Sequence, residues 1–225
     1  MKLSVHHIGG RNGTVPPIDP WRSFWPIIDL TLYDADAAAA EMALKHWRIR
    51  KNSCASVVVS GNCIGETRGA SQFYICFDGS ASSMLPFDPA CSEYSWFTDQ
   101  RGKGVYNLGE ASRSQVIEVI TWPLGTLIHE GKVKQPNILS IDAEGATLQI
   151  LRGLGDEHFE EIVGLFIEAA LLPTHKGEAP LHEILAYAVE RNYLCIDFGQ
   201  SGRFSLAEMH MGAFDRGPKS HIEDA

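Results

Sequence analysis

The period of hydrophobicity changes abruptly at residues 142–145. Upstream, residues 137–142 read as an apolar strand. Downstream, Leu148, Leu151 and Leu154 recur at helical spacing until Gly153 and Gly155 end the helix. A buried strand that gives way to an amphipathic helix across an acidic turn forms half of a β–α unit. It sets Asp142 at the strand's carboxyl end and Glu144 at the helix start.

The same alternation recurs along the chain. Residues 3–8, 27–33, 57–59, 72–77, 116–122, 163–168 and 193–198 read as further strands, and the Val57–Val59 run is typical of a buried parallel one. Asp36 caps a helix carrying Ala40, Ala43, Leu44 and Trp47, and residues 124–130 form a short helix ended by Gly131. Pro180 opens a helix with a stripe of Leu181, Ile184, Leu185, Ala188 and Val189. Near the start, Asp19 and Pro20 open a helix that Pro26 limits to about two turns. Alternating strands and helices predict an α/β domain with a mostly parallel sheet, helices on both faces, and ligands at the carboxyl ends of the strands.

A chain of 225 residues is enough for one such domain, over residues 1–210, with a loose tail at 211–225 rich in Gly, Pro and charge. The net charge of −9 argues against nucleic acid as a partner, which would need clustered Lys and Arg. No signal-like or membrane-spanning apolar run is visible. Cys54, Cys63, Cys76, Cys91 and Cys195 form no CxxC pairs, so a reduced, cytoplasmic setting is expected.

Two constellations carry chemistry. In HHIGGRNG, Gly9, Gly10 and Gly13 follow a strand, where glycine lets a ligand approach the backbone, and Asp34 ends the next strand, where an acid can accept hydrogen bonds from ribose hydroxyls. The spacing is not GxGxxG, and a tight turn beside a solvated Asp is the plainer alternative. In the second, ILSIDAEG, Asp142 ends a buried strand and needs partners, whereas Glu144 can also serve as a helix cap. His6 and His7 are adjacent in a strand and point to opposite faces, so no metal site is expected there. Residues 79–112, with Ser, Tyr, Trp and Phe but little regularity, suit a substrate cover.

Residues 116–198 resemble the core of FkbM-type methyltransferases: a strand, then WPLGTL, the DAEGA signature and VGLFIEA. Upstream, IGGRNG matches the family's glycine turn, YDAD at residues 33–36 its second-strand acid, and CIGE with SASSMLP its middle segment. The resemblance implies a Rossmann-like class I methyltransferase fold, S-adenosyl-L-methionine as cofactor, and O-methylation of a small or glycosidic hydroxyl acceptor. It further implies that Gly9, Gly10 and Gly13 cradle the methionine part, that Asp34 holds the ribose, and that Asn62, Cys63 and Ile64 lie near adenine. Asp142 and Glu144 would be catalytic, with Ser82, Ser83 and Glu168 toward the substrate.

The chain departs from the family pattern at His7, where an acid is usual, at Pro16 and Pro17, and at Thr147, where a second Glu is common. These departures keep a non-catalytic binding or scaffold protein on this fold as the alternative. A nicotinamide oxidoreductase fits less well because of the glycine spacing.

Overall fold

A computed structural model describes residues 2–9, 19–36, 38–42, 45, 54–76, 79, 82–91, 96–98, 105–107 and 114–196. Its centre is a five-stranded, wholly parallel sheet of β1 (Leu3–Ile8), β2 (Ile28–Tyr33), β3 (Ser56–Ser60), β9 (Ile138–Ile141) and β10 (Gly164–Ile167), in the order β10-β9-β1-β2-β3. The chain therefore moves outward from β1 to β3 and later returns to fill the other side. Strand order reverses between β1 and β9, the place where sheets of this class open a crevice.

Register decides which residues meet there. Ile8 is paired with Tyr33 and with Ile141, and Ile141 with Ile167. Hydrogen bonds continue one residue further, from Gly9 N to Tyr33 O at 3.0 Å, from Asp142 N to Ile8 O at 2.9 Å and from Glu168 N to Ile141 O at 2.8 Å. Asp34, Gly9, Asp142 and Glu168 thus form one row across four strand ends.

Alternation along the strands divides the core. Val5, Ile28, Leu30, Leu32 and Ile138 face one side with Trp25, from a 3-10 helix at Asp19–Ile27. On the other side Ile8, Tyr33, Leu139 and Ile141 pack with residues of α1 (Leu124–His129), α2 (Thr147–Leu154) and α4 (Leu181–Val189), including Leu127, Leu151, Leu154 and Ile184. A four-residue α3 (Asp156–Phe159) follows α2 and contributes Phe159. His6 and His7 fall on opposite faces, as alternation requires. His6 Nδ1 meets the Tyr33 hydroxyl at 3.1 Å and His7 Nδ1 the Ser140 hydroxyl at 2.8 Å.

Three further strands stand apart from the main sheet. β8 (Ser114–Trp122) runs antiparallel to β5 (Gly69–Cys76) and parallel to the two-residue β4 (Cys63–Ile64). This small sheet meets the core through Ile64 and Trp122. Where it does so, backbones touch. A Cβ at Gly153 of α2 would overlap the carbonyl of Gly65; the helices approach as closely, a Cβ at Gly125 of α1 overlapping the carbonyl of Leu154 in α2.

Several expectations need correction. The 3-10 helix runs nine residues through Pro26, because at three residues per turn the missing N–H costs one bond, and it leads straight into β2. β3 is the last strand in the sheet order, and Val58 is 56% exposed, so the valine run is not fully buried. The strands predicted at 72–77 and 116–122 pair with each other rather than joining the parallel sheet. Within residues 79–112, β6 (Trp96–Thr98) and β7 (Val105–Asn107) form an antiparallel ladder. The strand predicted at 193–198 is absent over residues 193–196, and positions 197–198 lie outside the described residues. There the Tyr193 hydroxyl donates to Phe159 O and Ile162 O, while Leu194 and Ile196 face solvent. The helix after Asp36 starts as expected, with Asp36 Oδ1 accepting from Ala38 N at 2.9 Å. Among the described residues no helix is long and apolar enough to cross a membrane.

Candidate active site

A crevice of about 540 Å³, open to solvent, lies at the carboxyl ends of β1, β2 and β9. It is bounded by Gly9, Asp34, Asn62, Cys63, Ile64, Ser82, Asp142 and Glu144, all of which the sequence singles out. Sequence reasoning missed the apolar part of the wall: Phe73, Met84, Ala146 and Ile150, contributed by β5, the segment after it and the start of α2. Met84 and Ala146 lie within the SASSMLP and DAEGA segments without being singled out there, and nothing local marks Phe73 or Ile150, which packing brings to the site. Gly10 and Gly13 lie outside the described residues.

Gly9 has a φ of +94°, and a Cβ there would overlap the Asp142 carbonyl. The glycine is required first by the close approach of the β1 and β9 ends, before any ligand is considered. Asp34 is buried, and one of its carboxylate oxygens accepts from Asp36 N at 2.8 Å. Asn62 is held by Ser60, its Nδ2 donating to Ser60 Oγ at 2.8 Å. Burial, with the Asp34 charge adding to it, pushes the Cys63 thiol up to about 12, so it is an inert wall rather than a nucleophile.

The acidic turn is built under strain. Glu144 takes a φ of 44°, in the left-handed region that costs a non-glycine residue about 1–2 kcal/mol. Two bonds over-determine it. Ser83 Oγ donates to Glu144 O at 2.6 Å, and the Glu144 N–H donates to the Glu168 carboxyl group. Helix α2 has no side-chain cap, its N-cap being Ala146, so the capping role considered for Glu144 is not realised. Ser83 is buried away from the crevice and braces the turn, while Ser82, whose Oγ accepts from Cys76 N, lines the crevice.

Glu168 does not line the crevice but lies directly behind it. Asp142, Glu144 and Glu168 each offer a carboxylate oxygen, and these atoms lie within 4.8 Å of one another. Burial raises the Asp142 carboxyl above the usual range, with a hydrogen bond from Glu168 pulling the other way. Glu168 is raised too, by burial first and then by the neighbouring Asp142 charge. Thr147, the residue replacing the family's common Glu, is buried and donates to Glu168 O at 2.8 Å, fixing the end of β10 to α2.

A parallel α/β sheet with an acid-bearing crevice at its switch point defines a Rossmann-like α/β fold of the kind methyltransferases use. The methyltransferase FkbM domain matches residues 59–195, more than half of the chain, and the chain belongs to that family. It is a methyltransferase. No curated protein and no solved structure matches it significantly.

Proposed function

We propose that the chain transfers a methyl group from S-adenosyl-L-methionine to a hydroxyl oxygen of a small or glycosidic acceptor, with no nucleic acid or membrane as partner, in a cytoplasmic setting. The observation that carries this is the row of Asp34, Gly9 and Asp142 along one crevice in a chain of the FkbM family.

The lining fits the cofactor by chemical type. Asp34 offers acceptors to ribose hydroxyls, and Ile64, Phe73, Met84 and Ile150 give an apolar wall of the kind a purine needs. When bound, S-adenosyl-L-methionine would supply a methyl group from its sulfonium, the sulfur leaving as a neutral thioether as the acceptor oxygen forms the new bond. The protein's part is to align the reactants and exclude water. Asp142, at the crevice edge, orients the acceptor hydroxyl and takes its proton. An ordinary Asp, with a pKa of about 3.9, is a poor base for an alcohol, and burial moves this one in the useful direction.

Calorimetry with S-adenosyl-L-methionine and S-adenosylhomocysteine, followed by transfer of a labelled methyl group to a panel of glycosides and small alcohols, tests the reading. Binding with transfer to oxygen is the expected result. Failure to bind either compound sinks it. Binding without transfer to any acceptor favours the scaffold alternative that the departures at His7, Pro16 and Pro17 suggest.

A further inference from the structure

The Asp142–Glu168 contact is built by the sheet itself. Their strands pair in register up to Ile141 and Ile167, and the Glu168 N–H donates to Ile141 O, so the two acids leave adjacent strand ends side by side. Carboxylate oxygens of the two lie within 4.8 Å of each other, so that one acid can donate a hydrogen bond to the other only when protonated. Glu168 Oε2 is buried with no hydrogen-bond partner among the described residues, a costly place for a full negative charge. No lysine or arginine is among the described residues lining the crevice.

We propose that Glu168 is a positioning residue rather than a substrate contact: it keeps one proton, donates it in a hydrogen bond to Asp142, and so fixes which Asp142 oxygen faces the crevice. This deepens the methyltransferase reading and rests on it for its catalytic consequence alone.

The surrounding charges have the right sign. From the turn after β9, Glu144 presents its carboxylate to the pair and its N–H to Glu168. From the loop after β10, the Glu178 carboxylate adds a second negative field. That charge is retained because, against the upward push of burial, His175 and the N–H groups of Thr174 and His175 hold Glu178 below the usual range. From β1, on the same sheet face, His7 is kept neutral by burial. Against the Glu144 N–H, which favours a charged Glu168, the Asp142 and Glu178 carboxylates and burial oppose a second charge, neutral His7 supplies no cation, and a pair of acids this close releases its protons in two separated steps. Glutamine at position 168 would donate the same bond at every pH.

The test is carboxyl-carbon NMR titration of protein labelled at Asp and Glu side chains, treated with chelator, for the parent, Glu168→Gln and Asp142→Asn. The expected result is one glutamate signal titrating at about 8, absent from Glu168→Gln and moved toward the ordinary range in Asp142→Asn. A parent with no glutamate titrating above the ordinary range, or an Asp142→Asn protein with an unmoved midpoint, overturns the proposal. So does a midpoint that collapses when magnesium is added back, which would mean that a cation holds the pair. If Asp142→Asn does not fold, the parent and Glu168→Gln decide alone. With an acceptor in hand, the rate of transfer falls through the same midpoint in the parent and loses that alkaline limb in Glu168→Gln. The titration needs no cofactor, so failure to bind S-adenosyl-L-methionine would defeat the methyltransferase reading while leaving the shared proton standing.

Discussion

Ser83 and Glu144 are 61 residues apart in sequence and joined by a 2.6 Å hydrogen bond from a buried hydroxyl to a strained carbonyl. The same hydroxyl accepts from Leu85 N at 2.9 Å, so a single side chain locks two turns together. Ser83→Ala removes both bonds and takes the partner from the buried Leu85 N–H, a loss of about 1–3 kcal/mol. Chemical denaturation should show that loss together with faster exchange of the Glu144 amide. A parental midpoint would show that Glu144 holds its backbone without the brace.

Gly9→Ala should unfold or grossly destabilise the protein rather than merely weaken a ligand. The left-handed backbone costs about 1–2 kcal/mol for alanine, and forcing the Asp142 carbonyl aside adds an overpacking cost of about 1–3 kcal/mol. Thermal unfolding of the variant checks this. A normal melting temperature would mean that the β1 and β9 ends separate easily.

Asp34→Ala should weaken S-adenosyl-L-methionine binding by about 1.5–3 kcal/mol, the scale of hydrogen bonds to a charged group. Part of any change in stability will come from the lost Asp36 N–H bond, so calorimetry must be run on protein shown to be folded. Equal dissociation constants for variant and parent would put the ribose elsewhere.

Asp142→Asn keeps the shape of the side chain and removes its charge. If Asp142 receives the acceptor's proton, single-turnover transfer should slow by about 10²–10⁴ while cofactor affinity changes little. A rate equal to the parent's, or a parallel loss of binding, contradicts that role.

Stability should peak between the titrations of buried groups of opposite kind. Burial lowers His6 and His7 from 6.5 to about 4, so the folded state favours the neutral rings. Their contribution is intact above pH 6.5 and is lost as pH falls toward 4, at a limiting slope of about 1.4 kcal/mol per unit for each ring. Glu168 acts in reverse: raised from 4.5, it favours folding at low pH, and that contribution is lost as pH rises toward 8. The two rings act against Glu168 below 6.5, with the raised Asp142 carboxyl adding to the acid side, and only acids titrate above, which puts the maximum at or below 6.5. Unfolding followed from pH 4 to 9 should show it, and His7→Asn should reduce the acid slope. A flat acid limb would show that both rings reach water in the folded state.

Local signals reached much of this architecture. The shift from strand to helix at residues 142–145, the glycine after β1 and the acid after β2 are properties of short segments, and each lies where its pattern implies. What stayed hidden depends on pairing. Nothing in residues 72–77 or 116–122 says that they choose each other over the main sheet, because an antiparallel pair and a buried parallel strand use the same β-branched and aromatic residues. The roles of Ser83 and Thr147 were illegible for the same reason. One looks like a loop serine and the other like a lapse from a motif, until their carbonyl partners on distant segments are known.

The contacts of Gly153 with Gly65 and of Gly125 with Leu154 bring peptide planes together with no side chain between them. Ile64 and Ile150, which both line the crevice, are one and three residues away from the first contact. The spacing of the two segments that carry them is therefore gauged by backbone thickness, which no amino-acid exchange can reduce. Variants of Phe73, Met84 or Ile150 can reshape the apolar wall over an unchanged frame, so acceptor or cofactor preference could drift in this chain without any shift of Asp142 against Gly9.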